Sequence, residues 1–246
     1  MSLKLYFDTA ATVEYSRALA AGVAARPWAV RGSVLTGVLP SFLGIPRVQP
    51  ILAASGVLVG AQDLCQEDRG AFTGEVSGTD LRSAGCSLVE VGHAERRSIY
   101  DESDELVAAK LRAALRNHLV PLLCVGEREQ SAPDAAAVEC ARQVLDATAG
   151  GTGEEVWIAY EPVWAIGAPQ PAPVEYVREV CTRLREALSD RLPQLAILYG
   201  GSAGPGLLGR LWPTVDGLFL GRFAHDPEAF LAVADEAATL EGRRTR

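Results

Sequence analysis

Glu161 stands where a carboxylate can carry acid–base chemistry. It comes two residues after the apolar run Val156-Trp157-Ile158-Ala159, which predicts a buried strand, and Pro162 follows it directly. Proline has no N–H to give to a strand ladder and favours an extended residue before it, so the strand ends here. A carboxylate at the end of a buried strand is costly unless it is paired or used. Glu161 is therefore a candidate general base, and a structural ion pair is the alternative.

The segment after Glu161 predicts a movable lid. Its sequence, Val163-Trp164-Ala165-Ile166-Gly167, is too apolar for an idle surface loop. Gly167 and Pro169 bracket it and can act as hinges. We expect a lid from Pro162 to about Pro171, next to the candidate base.

His93 is a second candidate at a strand end. It follows an apolar run that ends at Val91, and it begins a predicted helical turn with Glu95 close behind. Backbone amides and the helix dipole at that point favour a neutral imidazole that donates a hydrogen bond. His93 is thus a candidate hydrogen-bond donor, with a purely structural histidine as the alternative.

Two glycine-rich segments near the end of the chain predict an anion site. Gly200-Gly201-Ser202 follows one apolar run, and Gly221-Arg222 follows the next. Backbone N–H groups at two neighbouring strand ends, beside a short helix, can bind a phosphate.

The elements that would position these residues alternate along the whole chain. Apolar runs suited to strands buried on both faces are followed by amphipathic segments rich in Ala, Leu and Arg. Eight such alternations predict an α/β fold, a (β/α)₈ barrel formed by residues 1–246 as a single domain. The predicted strands are Leu3–Phe7, Val34–Leu39, Val57–Gly60, Ser87–Val91, Leu122–Val125, Val156–Ala159, Ala196–Tyr199 and Gly217–Leu220. The predicted helices include Thr12–Ala25, Asp104–Asn117, Asp134–Thr148, Glu175–Asp190 and Asp226–Ala238.

An open doubly wound sheet is the alternative fold. That fold needs a glycine-rich phosphate-binding turn after its first strand. The segment Phe7-Asp8-Thr9-Ala10-Ala11 contains no glycine. The barrel is therefore favoured, and its chemistry should lie at the carboxyl ends of the strands.

The composition of the chain argues against some classes of binding partner. The 246 residues are 48% hydrophobic and 22% charged, with a net charge of −8. An acidic chain argues against a nucleic-acid or anionic membrane partner, although local donors can still bind a small anion. No apolar run is long enough to span a bilayer, and the first residues do not form a signal peptide.

The cysteines indicate a reducing compartment. There are five, an odd number, and none are in CxxC spacing. This pattern favours free thiols over a disulfide framework or a zinc site, so we expect a cytoplasmic protein without a metal site.

In order and spacing, the segments around His93, Glu161, Ser202 and Gly221 resemble the triosephosphate isomerase family. The resemblance covers nearly the whole chain and implies a TIM barrel. It also implies interconversion of glyceraldehyde 3-phosphate and dihydroxyacetone phosphate, in glycolysis and gluconeogenesis, without metal or organic cofactor. Triosephosphate isomerase is itself the standard example of a glutamate base paired with a neutral histidine. The resemblance implies those roles for Glu161 and His93, with Glu95 as a supporting acid.

The resemblance also implies which groups bind phosphate. The donors would be the amides of Gly167, Ser202, Gly221 and Arg222. The family has glycine where this chain has Arg222, so the side chain there would add charge, pair with Asp8 or narrow the pocket. The family also has serine at the position of Ala94.

The first strand departs most from the family pattern. The family has Asn-x-Lys there, two side chains that contact the substrate, and we align this motif with Tyr6 and Asp8. Lys4 is expected at the wrong end of the barrel and Lys110 on a helix face, so the lysine would be missing and Asp8 would contact the substrate. A carboxylate about 5 Å from a phosphate costs roughly 3 kcal/mol per unit charge at an effective dielectric constant near 20.

Three functions follow from this mixture of agreement and departure. The first is isomerisation of the triose phosphates. The second keeps the base and electrophile but acts on a different sugar or phosphosugar. The third is a catalytically weak homologue that binds a metabolite or another partner, against which the retained His93, Glu161 and lid argue.

Two further segments match the family in order. The loop Gly70–Ser77 resembles the one that reaches into a neighbouring subunit, and Phe72 at its tip would be exposed, so we expect a homodimer. Cys124-Val125-Gly126-Glu127 matches the end of the fifth strand. There we expect a buried structural cysteine and a surface glutamate, neither of them catalytic.

Overall fold

Parallel strands and helices alternate through the computed structural model, which describes residues 1–149, 151–166 and 171–244. The strands form a single sheet in the order β1 to β7, and every neighbouring pair is parallel. The strands are β1 Gly37–Val38, β2 Leu58–Ala61, β3 Leu88–Val91, β4 Val120–Val125, β5 Val156–Tyr160, β6 Leu195–Tyr199 and β7 Gly217–Leu218.

The first three residues join the two edges of this sheet. Ser2 pairs with Leu39 beyond the end of β1, and its N–H donates to the carbonyl of Leu220 beyond β7, at 3.1 Å. Met1 and Leu3 add hydrogen bonds of 2.8 and 3.0 Å to Leu39. The segment thus takes the place of the first strand and gives the sheet the (β/α)₈-barrel topology expected from the sequence.

The predicted first strand, Leu3–Phe7, is wrong. The chain turns after Leu3, where Lys4 has φ 48° and the N–H of Tyr6 donates to the carbonyl of Leu3 at 3.3 Å. Because a residue with positive φ cannot continue an extended strand, the ladder ends at Leu3, four residues before the predicted end at Phe7.

The helices pack around the outside of the sheet. Sequence signals explain several of their starts, since Asp8 and Ser103 accept a backbone N–H at the amino ends of the first and sixth helices. The helices are α1 Thr9–Ala24, α2 Pro27–Arg31, α3 Ile45–Ala53, α4 Gly78–Ser83, α5 Ala94–Ile99, α6 Asp104–Arg116, α7 Pro133–Ala147, α8 Val174–Leu188, α9 Leu207–Leu211 and α10 Pro227–Arg244.

The core has an inner and an outer layer because alternate strand residues face opposite sides. On β3, Val89 and Val91 belong to the outer layer against the helices. Leu88 belongs to the inner cluster that fills the barrel. Glu90, two residues from Leu88, therefore also faces the barrel interior, where it is 3% exposed.

Two further observations concern the cysteines and the helices. All five cysteines are buried and free. No helix in the described part of the chain is long and apolar enough to cross a membrane.

A buried ion cluster links α6 to the loop after β2. The ammonium of Lys110, 3% exposed, lies 2.7 Å from Asp63 Oδ1 and 2.5 Å from Glu102 Oε1. Arg96 contacts the same two carboxylates. Lys110 does lie on a helix, as predicted, but on its buried side. Its charge compensates two carboxylates that have little access to water.

We expect Lys110→Met to lower the free energy of unfolding by about 3 kcal/mol, because removing one partner leaves uncompensated buried charge. Urea denaturation measures this. The control is Arg17→Met, which breaks the exposed 2.8 Å pair with Glu14 and should cost less than about 1 kcal/mol. Equal losses in the two variants would contradict the assignment of Lys110 as a buried compensating charge.

Candidate active site

A cavity of about 170 Å³ opens at the carboxyl ends of the strands. Most of the residues predicted to form a site line it. The predicted residues that line it are His93, Glu95, Glu161, Ser202, Gly221 and Arg222. The other lining residues are Ser2, Lys4, Tyr6, Ile166, Gly200, Gly201, Phe219, Leu220 and Phe223. Gly167 lies outside the described residues.

His93 and Glu161 face each other in this cavity. Nε2 of His93 lies 3.4 Å from Oε2 of Glu161, and both residues are buried, at 3% and 7% exposure. Gly200 makes this placement possible, because a Cβ there would come within 2.6 Å of Glu161 Cγ. A carbonyl compound between these side chains meets a base and a hydrogen-bond donor together.

The backbone selects the tautomer of His93. The N–H of Glu95 donates to Nδ1 at 3.1 Å, where His93 caps α5. Since Nδ1 accepts a hydrogen bond, a neutral ring carries its proton on Nε2, the atom facing Glu161. Burial, and then the charge of Lys4, lower the pKa of His93. The ring is thus a neutral donor at neutral pH, as the sequence led us to expect.

The surroundings of Glu161 raise the basicity of its carboxylate. Burial raises its pKa to about 8, and the nearby charge of Glu90 adds to the increase. A carboxylate with a raised pKa takes a proton from carbon more readily than an ordinary one.

Lys4 corrects the largest departure inferred from the sequence. The prediction that it lies at the wrong end of the barrel is wrong, because it lines the cavity and its ammonium lies 2.6 Å from Glu95 Oε1. The early end of the first strand and the turn at φ 48° bring it there. With Lys4 in the site, Ser2-Leu3-Lys4 occupies the place expected for Asn-x-Lys, and a lysine is present after all.

The prediction that Asp8 contacts the substrate is also wrong. Asp8 is exposed and does not line the cavity; its carboxylate accepts the N–H of Ala11 at 2.8 Å as the N-cap of α1. The alignment of Asp8 with the family's lysine was off by four residues, which put a capping residue in the site.

The glycine-rich segments around Ser202 and Gly221 form another wall of the cavity. Ser202 follows β6, and Gly221 and Arg222 lie at the start of a 3₁₀ turn, Arg222–Ala224, after β7. Arg222 is exposed, lines the cavity and makes no ion pair with Asp8 among the described residues. This wall offers backbone N–H groups and one exposed cation to an anion.

Glu127 was expected at the surface and is instead fully buried. It accepts hydrogen bonds from Trp164 Nε1 at 2.6 Å, Tyr176 Oη at 2.8 Å and Tyr160 Oη at 3.2 Å. Trp164 lies in the 3₁₀ turn Val163–Ala165 that begins the predicted lid. The polar tips of these three aromatic residues need a partner when buried, and this was the signal that could have identified Glu127.

Sequence reasoning also missed Glu90. It interrupts the apolar strand Leu88–Val91, and its carboxyl lies beside the imidazole, with Oε1 3.8 Å from His93 Nε2. A lone charged residue inside a buried strand was the available signal.

The arrangement suits proton transfer next to a carbonyl. Glu161 can remove a proton from carbon while His93 stabilises the developing oxyanion. Among residues 1–149, 151–166 and 171–244, no group of three or more His, Cys, Asp or Glu side chains could hold a metal ion.

Comparison with known proteins identifies relatives along almost the entire chain. Residues 1–237 match the family described as triosephosphate isomerase. The L-erythrulose-1-phosphate isomerase of Pectobacterium atrosepticum is 48% identical, over 99% of this chain and 96% of that protein. The triosephosphate isomerase of Methylococcus capsulatus is 39% identical, over 80% of this chain and 83% of that protein.

A solved structure shares the fold. The crystal structure of triosephosphate isomerase from Bartonella henselae superimposes with a TM-score of 0.82 at 32% identity, covering 95% of each chain. The barrel topology is therefore that of this neighbour.

The Glu161 carboxyl should titrate near pH 8, because burial and Glu90 raise its pKa. Carbon-13 NMR of glutamate-labelled protein measures the midpoint, assigned by the signal missing from Glu161→Gln. Glu90→Gln removes a negative charge and should move the midpoint to lower pH. A midpoint near 4.5 in the unmodified protein would mean that water solvates the carboxylate and that Glu161 is an ordinary acid.

Proposed function

Because the chain belongs to the triosephosphate isomerase family, we propose that this isomerase acts on L-erythrulose 1-phosphate, moving a proton between adjacent carbons. The observation that carries the reaction type is the 3.4 Å approach of His93 Nε2 to Glu161 Oε2. The substrate is supported by the name of the 48% identical relative, which matches 99% of the chain. A second relative, from Rhizobium etli, carries the same name at 40% identity.

Each side chain has a role in the proposed reaction. Glu161 takes the proton from C3, and His93 hydrogen-bonds the C2 oxygen as negative charge develops there. An enediolate with oxygens on C2 and C3 forms. Returning the proton to C2, and moving the hydroxyl proton from O3 to O2, leaves the ketone on C3. Because the ketone has moved from C2 to C3, the product is a four-carbon ketose that is numbered from the opposite end, with its phosphate on the last carbon.

Cations and amides hold the phosphate. Lys4 lies on one side of the cavity, and the backbone N–H groups near Ser202 and Gly221 lie on the other. We assign Gly167 the same role, as the resemblance implies, and Glu95 positions both Lys4 and His93 through its contacts. Arg222 is the cation that closes this wall. The predicted lid, from Pro162 to about Pro171, would exclude water from the enediolate.

Triose phosphates are the second candidate substrates. They are favoured by relatives named triosephosphate isomerase at 39–41% identity and by the same acid–base pair. The identical proton transfer on dihydroxyacetone phosphate makes an aldehyde, which would place the enzyme in glycolysis and gluconeogenesis. A catalytically weak homologue fits less well, since base and donor already face each other.

We also propose a cytoplasmic homodimer. The five free cysteines suit a reducing compartment. The loop Gly70–Ser77 would form the subunit contact, with Phe72, 41% exposed, at its tip.

The two substrates and a set of variants test the function. The unmodified enzyme should convert L-erythrulose 1-phosphate with a higher kcat/KM than dihydroxyacetone phosphate. Glu161→Gln should lower kcat/KM about a thousandfold, because the amide cannot accept the proton. Lys4→Met should lower kcat/KM about a hundredfold, because it removes the ammonium that stabilises the bound anion.

Asp8→Asn is the matched control for Lys4→Met, because asparagine also caps a helix. Its kcat/KM should stay close to that of the unmodified enzyme. If Glu161→Gln retained full activity on both substrates, the assignment of the base would be wrong. If Asp8→Asn lost as much as Lys4→Met, the corrected position of the first-strand lysine would be wrong.

Sedimentation equilibrium tests the dimer. The unmodified protein should sediment at twice the 26.1 kDa of one chain. Phe72→Glu should shift it towards the monomer, since a charge buried in an interface without a partner is costly. Phe42→Glu, at a similarly exposed phenylalanine (38%) outside the loop, is the control. Monomeric unmodified protein would rule the contact out.

A further inference from the structure

Glu90 is a buried carboxyl just beneath the cavity lining, beside His93, and proton transfer does not require it. It lies on β3 and faces the barrel interior, at 3% exposure. Its Oε2 is buried and has no hydrogen-bond partner among the described residues. Leaving such an atom unpaired is costly, so the group has a use or a missing partner.

The surroundings of Glu90 are those of the reaction centre. Its Oε1 lies 3.8 Å from the same His93 Nε2 that faces Glu161. The charges acting on it are Lys4 and Glu95, besides Glu161 itself. Any group attached to a carbon between Glu161 and His93 is therefore close to Glu90.

A second negative charge at this point works against the chemistry. The enediolate is an anion, and a carboxylate beside it raises its energy. Burial raises the pKa of Glu90 to about 7, which leaves part of the population protonated at neutral pH. A carboxyl that can be neutral, or can accept from a hydroxyl, fits a polar neutral ligand better than an anion.

Ser2 lies between Glu90 and the cavity. It lines the cavity, and its side chain hydrogen-bonds to Glu90. With Lys4 in the site, Ser2 holds the position of the asparagine in Asn-x-Lys. Serine is shorter than asparagine, so it leaves more room between the cavity and the Glu90 carboxyl than an asparagine would.

The proposed substrate carries a polar group that suits the space beside Ser2 and Glu90. In L-erythrulose 1-phosphate the carbon that loses its proton to Glu161 also bears a hydroxymethyl group. In dihydroxyacetone phosphate the same carbon bears a hydrogen instead. The hydroxymethyl group is therefore attached to the carbon that lies between Glu161 and His93, and its hydroxyl is within reach of Glu90.

We propose that Glu90, with Ser2, receives the hydroxyl of the fourth carbon and thereby selects a four-carbon ketose phosphate over a triose phosphate. This inference rests on the proposed isomerase function. Glu90 accepts the hydroxyl hydrogen bond at its free oxygen, and Ser2 leaves the space for the hydroxymethyl group. Glu90 is then a specificity residue that contacts the substrate.

The test is a ratio of two rates in the same enzyme. It is kcat/KM for L-erythrulose 1-phosphate divided by kcat/KM for dihydroxyacetone phosphate, measured at one pH. A change in the protonation of Glu161 affects both substrates and cancels in the ratio. Glu90→Leu should lower the ratio at least about tenfold, because a site that hydrogen-bonds a hydroxyl discriminates strongly. Glu90→Gln, which still accepts a hydrogen bond, should keep the ratio within about threefold.

Ser2→Asn is the second variant, and it leaves Glu90 in place. It should also lower the ratio, by filling the space for the hydroxymethyl group. Circular dichroism confirms that each variant is folded. An unchanged ratio in folded Glu90→Leu and Ser2→Asn would overturn the specificity assignment while the isomerase function stands. An unmodified enzyme that converts triose phosphates but not L-erythrulose 1-phosphate would overturn the proposed substrate itself, and that result needs no variant.

Discussion

The contact between the neutral imidazole of His93 and the carboxyl of Glu161 is the constraint on which the rest of the site depends. These side chains are 68 residues apart in sequence and 3.4 Å apart in space. Parallel strands with their carboxyl ends at one edge bring them together. The dry surroundings then do two things at once: they keep the ring neutral and make the carboxylate a stronger base. A wetter site would lose both properties.

Charge balance around this pair explains the path of the first residues. Three carboxyl groups, Glu90, Glu95 and Glu161, surround the imidazole, and the ammonium of Lys4 compensates them. The turn after Leu3 is what aims Lys4 into the cavity, because an extended strand through Phe7 would carry the chain past it. The same turn releases Asp8 to cap α1. One local change of direction thus supplies both the cation of the site and the start of the first helix.

A buried acid ties the start of the predicted lid to the barrel. Glu127 collects hydrogen bonds from three aromatic side chains, one of them Trp164 at the start of the lid. A carboxylate with no exposure tolerates this position because its Oε1 is surrounded by donors. The arrangement fixes the start of the predicted lid close to Glu161, three residues earlier in the chain.

The sequence by itself determined the barrel, the pairing of His93 with Glu161 and the glycine-rich flank around Ser202 and Gly221. Apolar periodicity and residues at strand ends are local signals that survive in one dimension. Only the tertiary structure decided the roles of Lys4, Asp8, Glu90 and Glu127. A turn at positive φ, a carboxyl aimed into a barrel and three aromatic donors converging on one oxygen depend on contacts between distant segments. Sequence spacing records the order of those segments but not the distances between their side chains.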